Sequence, residues 1–133
     1  VDAQQALADL MEISSQVDAA VVIGADGSPL ASSLPAERGE RLARAAARLL
    51  DETAESERRR PVQIEAATRG GSVFVVRDDG HTIAATTGAS PTAGLVLYDL
   101  RTCLRALAEE EPAAPKPTRR RKKAEEAGGD EAA

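Results

Sequence analysis

Apolar and polar positions follow two rhythms along this chain, one helical and one of strand period. Leu7, Leu10 and Met11 make a narrow stripe at helical spacing. Asp2 stands ahead of them as an N-cap, with Gln5 as its capping-box partner, so a first helix is expected to about Ser15. Residues 19–24 (AAVVIG) form a nearly continuous β-prone run, the pattern of a strand covered on both faces or at a sheet centre. Ala25-Asp26-Gly27-Ser28 predicts a tight turn, because Asp-Gly supplies the positive φ of a hairpin. Residues 29–33 return as a short strand whose proline suits a strand start or an edge. Residues 62–66 alternate with period two, so one face of that strand should be wet. Residues 72–77 hold the run Val73-Phe74-Val75-Val76, Asp78-Asp79-Gly80 turns, and residues 81–87 form a further strand that Gly88 breaks. Ser90-Pro91 reads as a cap and first position of a last helix, on which Val96, Leu100, Cys103, Leu104 and Leu107 share a face opposite Tyr98, Arg101 and Arg105.

Between the two strand groups, residues 35–57 predict a long central helix opened by Ser33 and by Pro35 near its first position, and ended by Arg58-Arg59-Arg60-Pro61. At ~100° per residue, Leu42, Ala45, Ala46, Leu49, Leu50 and Thr53 fall together, and Gly39, Ala43, Ala47 and Ala54 widen that face. The arc reaches roughly 200°, about twice the stripe of a surface helix on one core. Two apolar contacts are therefore expected, one with the chain's own sheet and one with a second surface, such as the same helix of another copy. Gly39, Ala43, Ala46, Ala47 and Leu50 are the candidates for that second contact, since small residues four apart permit close helix approach. The alternative is that the alanines are present only as good helix formers. The opposite face is charged, with Glu37, Glu40, Arg41, Arg44 and Arg48 among its residues.

The predicted order is α-β-β-α-β-β-β-α. Its hairpins and short turns imply an α+β fold, a five-stranded antiparallel sheet with helices packed on it. Residues 1–111 are expected to form one domain, and the Pro-rich, charged residues 112–133 a disordered tail.

Charge and composition narrow the function. Residues 1–111 carry 11 basic and 18 acidic side chains, a net charge of −7, and the only aromatics are Phe74 and Tyr98. An acidic body without stacking platforms argues against nucleic acid as a partner. The tail's basic run at 119–123 (RRRKK) is suited to phosphate, an anionic lipid surface or an acidic protein, although Glu125, Glu126, Asp130 and Glu131 weaken each possibility. A lone cysteine, Cys103, excludes an internal disulfide and suits a reducing compartment, so a cytoplasmic location is expected. No apolar run approaches the length of a membrane span, and no signal peptide is expected from the residues that open this sequence, which begins with Val1 rather than Met.

Candidate chemistry is sparse. His81, the only histidine, is expected as a solvated strand residue. Cys103 lies on the buried stripe of the last helix as a small hydrophobe, without a histidine partner or metal-ligand spacing. Asp78 and Asp79 are explained by their turn, and neither Gly24-Ala25-Asp26-Gly27 nor Gly70-Gly71-Ser72 is a phosphate loop. The domain reads as a non-enzyme with no cofactor or metal.

The segments at 19–35 (AAVVIGADGSPLASSLP), 39–55, 72–88 (SVFVVRDDGHTIAATTG) and 94–107 together resemble the Roadblock / dynein light-chain family, including its bacterial MglB-like members. Order and spacing carry the resemblance, which covers about residues 3–108. It implies the same fold, and a homodimer or heterodimer built by pairing the central helix and the following strand. It also implies binding to a small Ras-like GTPase whose nucleotide cycle is regulated, with the GTPase across the helix pair and Glu37, Arg41, Arg44 and Arg48 near it. No arginine finger is implied, and nothing carries over to the tail. Beside this regulator stand two other classes, a dimeric scaffold that leaves nucleotide turnover unchanged and a small-ligand sensor. A cavity lined by polar groups would favour the sensor.

Overall fold

Two continuous apolar runs and one alternating run decide which strands lie inside the sheet. The computed structural model describes residues 2–57, 63–78 and 80–110. The elements are α1 (Ala3–Ile13), β1 (Val17–Ile23), β2 (Pro29–Ser32), α2 (Ala36–Glu57), β3 (Gln63–Ala67), β4 (Ser72–Arg77), β5 (Thr82–Thr87) and α3 (Ala93–Glu110). The strands stand in the order β2-β1-β5-β4-β3, each antiparallel to its neighbours. This is the expected α+β fold. The expected helix end at residues 58–61, the strand start at Val62, the domain boundary after 111 and the tail lie outside the described residues.

β1 and β4, the apolar runs, are interior strands, while β2 with its proline and the alternating β3 take the edges. The β1–β2 hairpin turns as Asp-Gly requires: Gly27 has φ +89° and donates its N–H to the Gly24 carbonyl at 3.0 Å. Three layers result. α1 and α3 cover one face, over Val22, Phe74, Val76 and Ile83; α2 covers the other, over Val21, Ile23, Val75 and Ala84. The whole predicted stripe of α3, Val96 to Leu107, is buried, and Tyr98, Arg101 and Arg105 are exposed. Asp2 caps α1 by accepting the Gln5 N–H at 2.9 Å.

Three local expectations are corrected. α3 starts two residues after Pro91, because Ser90 takes φ 57° to turn the chain and the Thr92 carbonyl accepts the first N–H bonds, from Leu95 and Val96. Pro35 precedes α2 instead of opening its first turn, its carbonyl accepting from Gly39, while the Ser33 hydroxyl is drawn back to β1 at the Ala20 N–H. On α2, the sheet is met along Gly39, Ala43, Ala46 and Leu50, and Ala45 is exposed on the side of the arc that bears Leu42 and Leu49. His81 is buried, at 9 % exposure. Asp78 accepts the His81 N–H at 3.1 Å and donates its own N–H to the His81 carbonyl at 3.0 Å, which folds the β4–β5 turn against it.

Candidate protein-interaction surface

α2 forms because its 22 residues are mostly Ala, Leu, Arg and Glu, all strong helix formers. Its buried line is made of small residues, so the helix lies close to the strands. Ala43, Ala46 and Leu50 pack on the sheet cluster of Val21, Ile23, Val75 and Ala84. A Cβ at Gly39 would stand 2.5 Å from the Ser32 hydroxyl of β2, so the glycine is required for that approach. Four of the five residues considered for a helix–helix contact thus face the chain's own sheet; Ala47 is exposed.

Glu37, Arg41, Arg44 and Arg48 all lie on the side of α2 away from the sheet and are exposed. Glu37 and Arg41 approach to 3.9 Å across one helical turn, with side chains 88 % and 63 % exposed. An ion pair this wet contributes at most ~1 kcal/mol. The three guanidinium groups therefore form an accessible cationic row at little cost in displaced interactions.

The flank of α2 beside this row is apolar. α2 packs over β2, β1 and β5, which leaves the far side of the sheet thinly covered. Leu42 and Leu49 from the helix, Ile64 from β3 and Val73 from β4 are only partly buried against the α2 core. β3 is hydrogen-bonded to β4 alone among the described strands, so its outer backbone groups face outward. Leu42 and Leu49 lie towards one edge of the wide arc on α2, and the helix is seated on the sheet by the positions beside them, Gly39, Ala43, Ala46 and Leu50.

At the end of the sheet carrying the β1–β2 and β4–β5 turns, a half-open cleft of about 710 Å³ runs beside the C-terminal half of α2. Ile23, Ala43, Ala47 and Leu50 line its apolar part, and Asp26, Asp51, Asp78, Arg77 and His81 its polar part. Asp26 accepts the Ser28 hydroxyl at 2.7 Å and the Ser28 N–H at 3.0 Å. These bonds hold its carboxyl below the usual carboxylate range. Asp78 accepts the Gly80 N–H at 3.2 Å as well as that of His81. The two aspartates were legible as turn residues, but their convergence with Asp51 follows only from the sheet topology.

Among the described residues no cluster of His, Cys, Asp and Glu could hold a metal ion, and no helix is long and apolar enough to cross a membrane. Burial, and secondarily the charge of Asp9, push the Cys103 thiol up to about 11, the reverse of what a nucleophile needs.

No protein-family model and no curated protein matches the sequence. Solved structures do match the fold. A Roadblock/LC7 domain from Streptomyces avermitilis superposes with a TM-score of 0.73 at 16 % identity, over 82 % of this chain and 97 % of that one. The gliding protein MglB from Thermus thermophilus gives 0.59 at 16 % identity, over 79 % and 84 %. A structure described as MglB with tetrameric arrangement gives 0.60 at 15 % identity, over 79 % and 84 %. The α-β-β-α-β-β-β-α order, the β2-β1-β5-β4-β3 sheet and these superpositions identify the chain as having a Roadblock-like fold of the MglB type.

Proposed function

We propose that this chain is a non-enzymatic dimeric regulator that binds a small Ras-like GTPase and alters its nucleotide cycle. The carrying observation is the juxtaposition on α2 of an exposed arginine row, Arg41, Arg44 and Arg48, with a half-buried apolar flank at Leu42 and Leu49. Bacterial members of the family that the sequence resembles use this helix for both self-pairing and the GTPase. In this chain the second copy covers Leu42, Leu49, Ile64 and Val73 and extends the sheet at β3, while the arginines meet acidic groups of the GTPase. A copy of MglB solved in a tetrameric arrangement supports self-association as a property of such folds. The small residues along Gly39, Ala43 and Ala46 serve the sheet, so Leu49→Arg, not Ala43→Arg, is the variant that tests pairing without unfolding.

The functional test is a titration of the full chain against a small GTPase from the same cell, in its GTP-like and GDP states. Arg44→Glu with Arg48→Glu should leave the fold and the oligomer intact and weaken binding about tenfold or more, since charge is reversed beside the partner. Unchanged affinity would remove the arginine row from the interface. Binding without any change in hydrolysis or nucleotide release would favour a dimeric scaffold instead. The polar-rimmed cleft is the feature a ligand-sensing module would use.

A further inference from the structure

The cleft beside α2 has an unbalanced mouth. Asp26 comes from the β1–β2 turn, Asp51 from α2 and Asp78 from the β4–β5 turn, so three separate elements bring carboxylates to one opening. The hydrogen bonds to Asp26 and Asp78 come from neutral N–H and O–H donors, which leave the negative charges in place. Arg77 and His81 also line the cleft, and both are engaged with other groups of the chain. Among the lining residues, three carboxylates against one guanidinium leave the opening acidic above an apolar floor of Ile23, Ala47 and Leu50, with Arg44 and Arg48 outside the lining on α2. Such a concavity focuses a negative potential.

The direction of α3 says which segment can reach it. Thr82 and Arg77 mark the cleft end of the sheet, and Thr87 marks the far end, where it pairs with Val17. α3 starts at that far end, since the Thr92 N–H donates to Gln16 at 2.6 Å just ahead of β1. It then runs back. Arg101 donates to Gln63, whose register partner Val76 is one residue from Arg77. Nine residues later α3 ends at Glu110, at the cleft end and on the opposite face. From Glu110 to Arg119 the chain reaches at most about 30 Å. Crossing the sheet edge from the α3 layer to the α2 layer needs ~20 Å if layers are spaced like stacked sheets.

We propose that the basic run at 119–123 (RRRKK) docks within its own chain in this acidic cleft. The match is one of charge and of reach. Five consecutive cations precede the first acid of the tail, Glu125, and the body they attach to carries −7 over residues 1–111, with 11 basic and 18 acidic side chains. Guanidinium groups pair with carboxylates in bidentate geometry, and their stems can lie on the apolar floor. Tethering supplies an effective concentration of order 1 mM, so weak individual contacts suffice. The docked run lies along the flank of α2 that bears Ala47 and Asp51, next to Arg44 and Arg48, whatever partner those arginines recognise.

Paramagnetic relaxation in the full chain tests this directly. Cys103 is buried, so a nitroxide placed at Ala124→Cys goes to the introduced thiol. The amides of residues 24–28 and 80–82 should lose about half or more of their signal while those of 92–96, at the far end of the sheet and on its other face, keep theirs, and 1 M salt, where the screening length is about 3 Å, should restore the loss. Asp51→Lys should weaken the effect, and Arg119→Glu with Arg120→Glu and Arg121→Glu should abolish it. Loss spread evenly over the domain, or loss that persists in both variants, overturns the proposal. Loss seen only when spin-labelled chains are mixed with separate isotope-labelled ones would place the run on a neighbouring copy and overturn docking within the chain.

Discussion

The two faces of the sheet are unequally roofed. One carries two helices, and Phe74, Ile83, Val96, Leu100 and Leu104 are sealed between them and the strands. The other carries one helix, built on glycine and alanine, and its margin of Leu42, Leu49, Ile64 and Val73 is left half-buried. The first face has the large side chains that stabilise a fold. The second has apolar surface that the described residues leave half-buried and a row of accessible arginines. On the proposed function, stability and recognition divide between opposite sides of one sheet, and the proposed interaction surface is the side where the core is thinnest.

Three measurements press on that division, taken from the largest effect to the smallest. Leu100→Ala, on the sealed face, should cost about 4 kcal/mol in denaturant unfolding, the range for a buried leucine. Leu49→Ala, on the open face, should cost about 1 kcal/mol at low protein concentration, because little of its side chain is withdrawn from water. Its cost should rise with concentration if a second copy covers it. Equal, concentration-independent losses at the two positions would erase the distinction. The smallest effect is a pH slope from Cys103 on the sealed face. Its pKa is raised from 9.0 to about 11 in the fold, so the unfolded chain gives up the proton first. The stability tied to the neutral thiol is whole below pH 9 and is lost as pH rises towards 11. Cys103→Ala should lower the plateau but flatten this part of the wild-type curve, and parallel curves would show that the thiol titrates as if exposed.

Much of the sealed face was legible in the residue order. The runs of β1 and β4 and the stripe from Val96 to Leu107 obey local periodicity, and tertiary contacts agree with it. The candidate surface was half legible. Glu37, Arg41, Arg44 and Arg48 face away from a helix stripe that repeats every three or four residues, which places them in water. The role of the small residues was not legible, because periodicity cannot say whether glycine and alanine admit a partner's helix or the chain's own β2. Only the Gly39–Ser32 approach decides that. His81 was misplaced for a related reason: it closes a turn in which Asp78, three residues away, accepts its N–H, and its burial depends on the tertiary fold around that turn. The cleft needed the strand order, which no local pattern contains.

That strand order also bears on how the chain reaches its fold. β1 and β5 are adjacent in the sheet, Val17 against Thr87 and Ile23 against Thr82, yet they stand at opposite ends of the domain's sequence. The β1–β2 hairpin and the β3–β4–β5 meander can each form locally, but the sheet closes only when the two meet along this seam. Such distant pairing delays folding, since the entropy of closing the intervening loop is spent before the contacts form. On a ribosome the apolar strand β1 emerges long before its partner and must wait with one edge open. The same seam, once closed, places the chain's most continuous apolar strand in the interior of the sheet, with a strand on either side.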